Sequence, residues 1–293
     1  MNAHVFKSTL IIARLTFREA MRRRIVLTGL LLGICFLIVF STGFYFITGE
    51  ISQNTASMQA NGVNQGITRI ARVEGINMLL LAGMYAVTFL SIAMAALLGA
   101  DTLAGEINTG TIQTIVTKPI RRASVVFGKW LGFAALLGLY LILMAVGTML
   151  SVWLQSGYSA PHFLAGLALI YLETLMVMTI SLMCSSAFSA LATGGIVFGL
   201  YGLAFIGGWI EQFGSLLQNQ TAVEVGIITS LIIPSESLWR RAAFEMQSPI
   251  SGALGMSPFS TVSVPSLLMV GYAVAYLIAA LAMGVWIFQH RDL

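Results

Sequence analysis

Long apolar runs alternate along the chain with short polar stretches rich in basic residues. Six of the runs, over residues 25–47, 76–99, 131–154, 163–185, 190–210 and 266–288, are long enough to cross a bilayer as helices. A hydrocarbon core of about 30 Å takes about 20 residues at the helical rise. None of the six alternates apolar and polar positions as a membrane-barrel strand does. A helix closes its own backbone hydrogen bonds where lipid offers none. The pattern predicts an all-α polytopic membrane protein with six transmembrane helices, forming one transmembrane domain over 1–293.

Two stretches depart from plain spans. In the first 24 residues, Lys7, Arg14, Arg18 and Arg22 share one helical stripe, and Phe6, Leu10, Ala13, Phe17 and Met21 share another. This predicts an amphipathic interfacial helix with Arg14, Arg18 and Arg22 at the headgroups of the lipid bilayer. Ile11 and Leu15 fall near the basic stripe and are expected to pack against neighbouring spans; the plainer alternative is a basic flank before the first span. The other stretch is 211–265. Its apolar run Gly226–Ile233 is too short to span, and Pro234 and Ser235 open a short helix through Gln247, stopped by Pro249. Trp239 with Arg240 and Arg241 suits a membrane interface. The segment is expected to dip into the outer leaflet or cap the bundle.

Basic residues set the orientation. Six spans place the N-terminal stretch, the 100–130 loop and the C-terminal tail on one side, with eleven of the Lys and Arg residues, against four on the other side (Arg69, Arg72, Arg240 and Arg241). The positive-inside rule then puts both termini in the cytoplasm and 48–75, 155–162 and 211–265 outside. The expected location is the plasma or inner membrane, multi-pass.

Composition narrows the class. The chain is 58% hydrophobic and 9% charged, against about 25% charged in soluble domains. It lacks the polar residues to cover a water-facing surface, which excludes an ordinary soluble enzyme. The net charge of +4 does not point to nucleic acid, because the basic residues sit beside apolar spans. Cys35 and Cys184 lie in or beside apolar stretches without metal-ligand spacing, and His4, His162 and His290 are scattered. No catalytic motif and no metal cluster is evident.

The loop after the second span carries the most information. It is about 30 residues long with regular apolar spacing. Gly110 permits a turn, Thr111 can cap a helix, and Ile112, Ile115 and Val116 form one apolar face that Pro119 ends. A short exposed helix with an apolar face needs a partner. The alternative is that Lys118, Arg121 and Arg122 anchor the loop to anionic headgroups.

The residues Glu106-x-x-x-Gly110-Thr111-Ile112, Lys118-Pro119-Ile120-x-Arg122 and Gly128-Lys129 resemble the ABC-2 type permease family, which includes permeases of nitrous-oxide-reductase maturation and bacterial exporter systems. Ser185 to Ala190 and Pro234 to Ala242 also resemble stretches of such permeases. The resemblance implies that the loop is a coupling helix seated in a groove of a separate cytoplasmic ABC ATPase, with Glu106, Gly110, Thr111, Lys118, Pro119 and Arg122 in that role. It implies two ATPase copies, a second permease copy or related permease, and export. The chain has no Gly-x-x-x-x-Gly-Lys-Ser/Thr phosphate loop, so no cofactor is expected on it, and ATP and Mg are expected on the ATPase. An alternative within the family passes mechanical work to an external partner protein. A secondary transporter without an ATPase would need more intramembrane charges and inverted repeats; one intramembrane acid and no clear repeat are evident.

That acid is Glu173, near the middle of the fourth span. A charge there costs at least ~2.5 kcal/mol. Two readings stay open, a functional carboxyl on a path and a neutral, hydrogen-bonded one that fixes packing. Gly194, Gly195, Gly199, Gly202, Gly207 and Gly208 crowd the fifth span. Small faces let helices approach closely, either between two copies or within one.

Overall fold

The structure is a computed structural model that describes residues 2–108, 122–248 and 264–290. Those residues are helical throughout, joined by short turns. In order they form α1 (Asn2–Ala20), α2 (Arg24–Ala60), α3 (Gln65–Asn108), α4 (Arg122–Ser156), α5 (Phe163–Ser185), α6 (Ala190–Leu216), α7 (Gln220–Ile232), α8 (Ser235–Met246) and α9 (Leu267–His290). Six of them, α2 to α6 and α9, are long and apolar enough to cross a membrane. This is the all-α polytopic architecture expected from the apolar runs.

The helices α2 and α3 overrun their spans. They have 37 and 44 residues, about 55 and 66 Å at 1.5 Å per residue. Hydropathy marks only the lipid-sized part of each. Beyond it, residues 48–75 continue as a helical hairpin, because their Ser, Thr, Gln and Ala residues do not break a helix. The hairpin turns at Gly62, whose φ of +81° is a glycine conformation. Asn64 accepts the Gly66 amide at 2.8 Å to start α3. Other joints use the same local chemistry. Gly157, at φ +69°, closes α4 with its amide on the Trp153 carbonyl at 2.8 Å. The side chains of Ser189 and Asn219 cap α6 and α7.

The core lies between α3, α4 and α5. Leu80, Leu81 and Met84 of α3 meet Phe133, Leu137, Leu141 and Met144 of α4 and Ile170 and Met178 of α5. The apolar windows of α3, α4 and α5 are 56%, 50% and 50% buried, against 11%, 28% and 22% for α2, α6 and α9. The outer three therefore leave most of their apolar surface to lipid or to another protein. Leu31, Ile38 and Val39 of α2 are examples.

The N-terminal helix is separate from the first span. The chain turns at Met21 to Arg23, and Arg23 is extended before α2 begins. Helix α1 lies against α4, where Gly128 and Gly132 make room for it. Its buried positions are Ala13, Thr16 and Ala20, with Ile12 and Phe17 half-buried. Leu10, Ile11 and Leu15 are exposed, so the expectation that Ile11 and Leu15 pack against spans is corrected. The face turned to α4 carries Ile12, Ala13 and Thr16 opposite Gly128 and Gly132, where the glycines let the two helix backbones approach closely. Leu10, Ile11 and Leu15 stay outside beside Arg14 and Arg18.

The 211–265 segment begins inside α6, which runs on to Leu216. After it, α7 and α8 form a sharply bent pair, at 105° across Ile233 and Pro234. Proline cannot donate an amide to continue α7 and suits the start of α8. The pair folds back on the bundle as a hairpin: α7 lies along α6, and α8 packs against α5.

Candidate functional site

The expected ATPase-coupling residues are placed unevenly. Glu106 lies in the last turn of α3 and Arg122 opens α4, both described by backbone alone; Gly110, Thr111, Lys118 and Pro119 lie outside the described residues. The frame holding this loop is well defined. Gly99 lets α3 meet α5 closely: an added Cβ would stand 2.5 Å from Ser181 Cβ. There Ser181 donates to the Ala96 carbonyl at 2.7 Å, and Trp130 of α4 donates to Thr179 of α5 at 2.8 Å. Arg23, at the α1–α2 joint, reaches Asp101 of α3 at 3.3 Å and Glu19 at 2.8 Å. These half-exposed pairs add little energy, but they link α1 to the end of α3 that leads into the loop. Arg14, Arg18 and Arg22 are exposed on the same end.

The bundle interior holds a second polar centre. Glu173 of α5 is 1% exposed, and neither carboxyl oxygen has a hydrogen-bond partner among the described residues. Facing Glu173 is Glu236, in the first turn of α8, within electrostatic reach. Tyr85 of α3 and Tyr201 of α6 lie within reach of both carboxyls. Trp239 covers Tyr85, ring centroids 4.8 Å apart. One turn beyond Glu236, Arg240 forms a two-pronged ion pair with Glu211 of α6, Nη1 to Oε1 at 2.7 Å and Nη2 to Oε2 at 2.8 Å, with both side chains 5% exposed.

Sequence reasoning missed three members of this centre. Glu211 lies at the end of an apolar run, and Glu236 and Arg240 stand among residues that suit an interface. Arg240 and Trp239 are buried instead, at 4% and 3% exposure, and Arg240 is not an exposed outside charge. The spacing Glu236–Arg240, i to i+4 on one helix, together with a lone acid at the end of a span, was the available signal. This centre thus brings together four buried charged residues, Glu173, Glu211, Glu236 and Arg240, where the sequence offered one.

The glycines of α6 divide into two sets. Gly207 abuts Thr229 and Gly208 abuts the Glu236 side chain, while Gly226 of α7 abuts Glu211. These let the hairpin seat against α6. An added Cβ at Gly194, Gly195, Gly199 or Gly202 would meet nothing within 4 Å. That half of the helix is open on the single chain.

Six candidate spans around a packed three-helix core, with a braced N-terminal helix, define a polytopic membrane protein. A family model described as ABC-2 family transporter protein matches residues 10–293. The chain belongs to that family and is an ABC permease. No curated protein matches it.

Proposed function

We propose that the chain is the membrane subunit of an ATP-driven exporter, gripped through residues 109–121 by a separate ATP-binding subunit. The carrying observation is the family match together with the course of α3, which runs to Asn108 before the chain returns at Arg122. The intervening stretch joins two helix ends on the side richest in basic residues, the cytoplasmic side by the positive-inside rule. ATP-driven closure of the partner would push this stretch, and α3, α4 and α5, packed as one core, would move with it. The spans carry few polar groups, which favours a hydrophobic or amphipathic cargo.

The test is co-expression with the ABC ATPases of the same genome. The wild-type chain is expected to retain one of them through purification and to raise its ATP hydrolysis. Gly110→Arg should cut retention about tenfold with an unchanged size-exclusion profile. Equal retention by the variant would overturn the docking assignment.

Two copies of the permease are expected to pair through the open half of α6. Gly199→Leu has room within one chain, so it should leave the monomer folded. It should shift the native mass from dimer to monomer, and a dimer that persists unchanged places the contact elsewhere.

A second reading, work delivered to an external protein, is favoured by the projecting 48–75 hairpin with Met58 and Ile67 exposed. A photo-crosslinker at Ile67 that captured no external protein in cells would remove it.

A further inference from the structure

We propose that Glu173 and Glu236 form a proton-binding carboxyl pair at the seat of the α7–α8 hairpin, loaded while α8 rests on α5 and emptied when the two part. The argument starts from charge. Three carboxyls, Glu173, Glu211 and Glu236, meet one guanidinium, Arg240, and both of its terminal nitrogens are bonded to Glu211. Arg240 also lies within electrostatic reach of Glu236, yet Glu173 remains without a hydrogen-bond donor and wholly buried. An ionised carboxylate in that position has neither water nor a counter-charge, and a proton removes the charge.

The remaining groups around Glu173 do not supply a counter-charge. From α3 comes Tyr85, from α6 Tyr201 and Glu211, and from α8 Glu236 and Arg240. Tyr171 on α5 itself donates to the Ala134 carbonyl at 2.9 Å, and Tyr140 of α4 to the Gly29 carbonyl at 3.3 Å. Tyr276 of α9 lies against Tyr272 and Cys184. No group of three acid, imidazole or thiol ligands is present among the described residues, so the donors fall short of what a desolvated divalent ion takes. A proton needs only one lone pair.

Geometry couples this site to movement. Glu173 stands on the packed core, whereas Glu236 stands on the hairpin, which bends by 105° at Ile233 and Pro234. Parting α8 from α5 admits water, and each acid then gives its proton to a water molecule. Reseating takes the proton back from hydronium.

The sign of the pH effect follows. A proton held more tightly by the folded chain stabilises it fully at acid pH, and that contribution fades as pH rises above the ordinary carboxyl range. The full-length chain in zwitterionic nanodiscs and choline buffer should lose several degrees of Tm as pH rises through this window. Glu173→Gln with Glu236→Gln should flatten the profile, because the amides mimic the neutral acids. Infrared difference spectra should show a protonated-carboxyl carbonyl band that fades with rising pH, in part in each single variant and fully absent from the double. Parallel Tm profiles in wild type and double variant would overturn the proposal. So would recovery of the high-pH Tm by sodium or potassium, which makes the pair a metal-cation site. If the double variant does not fold, the wild-type infrared band decides: its absence at low pH overturns the proposal.

Discussion

Arg240→Met should destabilise the protein by about 3–5 kcal/mol, the usual cost of leaving a buried charge without its partner. Glu211 keeps its place on α6 when the guanidinium is gone. It then stands 5% exposed with both oxygens unpaired, beside a second carboxyl, Glu236. Glu211→Gln alone should cost comparably, because Arg240 then faces a neutral amide. Combining Arg240→Met with Glu211→Leu removes both charges together, and the double variant should be markedly more stable than either single change predicts. Reversible unfolding in mixed micelles measures the cycle. Additive losses would mean that the pair does not hold the hairpin. The affected region should be local: α8 carries Trp239 against Tyr85 and Met246 against Gly166, so its amides are expected to lose exchange protection first.

The second large effect is expected where α1 meets α4. A Cβ on Gly132 would stand 2.7 Å from the Ala13 carbonyl oxygen and 2.9 Å from Thr16 Cβ. On Gly128 it would stand 2.7 Å from Ile12 Cβ and 3.0 Å from the Thr9 carbonyl oxygen. Backbone atoms cannot swing aside as a flexible side chain can, so Gly132→Leu must displace the helix. Overpacking of this kind costs about 1–3 kcal/mol. The cost should fall on the docking of α1, whose buried contacts with the core are few beside those among α3, α4 and α5. Hydrogen exchange of residues 9–20 should accelerate about 10–100-fold while α3, α4 and α5 remain protected. Uniform acceleration across the core would show instead that α1 is an integral part of the bundle. Helix α1 carries Glu19, and the adjoining Arg23 reaches Asp101. Its displacement should also loosen the end of α3 and lower the ATPase coupling proposed above.

Where the bilayer dictated structure, the chain was readable in advance. A run of about 20 apolar residues in lipid has one backbone solution, and the runs beginning near 25, 76, 131, 163, 190 and 266 each became a helix. Element ends were less readable. Hydropathy stops where lipid stops, but a helix stops at a capping or left-handed residue. Thus α2 and α3 continue to the turn at Gly62 instead of ending at the membrane. The face of α1 was misread for a related reason. Helical periodicity separates basic from apolar positions, yet which apolar positions are covered is set by Gly128 and Gly132 of α4, which receive Ile12, Ala13 and Thr16 and leave Ile11 and Leu15 outside.

By itself, the sequence determined the membrane class, the span number, the separate amphipathic N-terminus and a break at Pro234, because each follows from local transfer energies and backbone chemistry. It also carried the family resemblance. Only the tertiary structure decided that Arg240 faces Glu211, that Glu236 faces Glu173, and that the glycines of α6 split between a hairpin seat and an open face. The physical reason is that a charge or a glycine has the same local signature wherever it points. Its meaning is set by which distant helix folds against it, and the α7–α8 bend brings residues of α5, α6 and α8 together across more than 60 positions of chain.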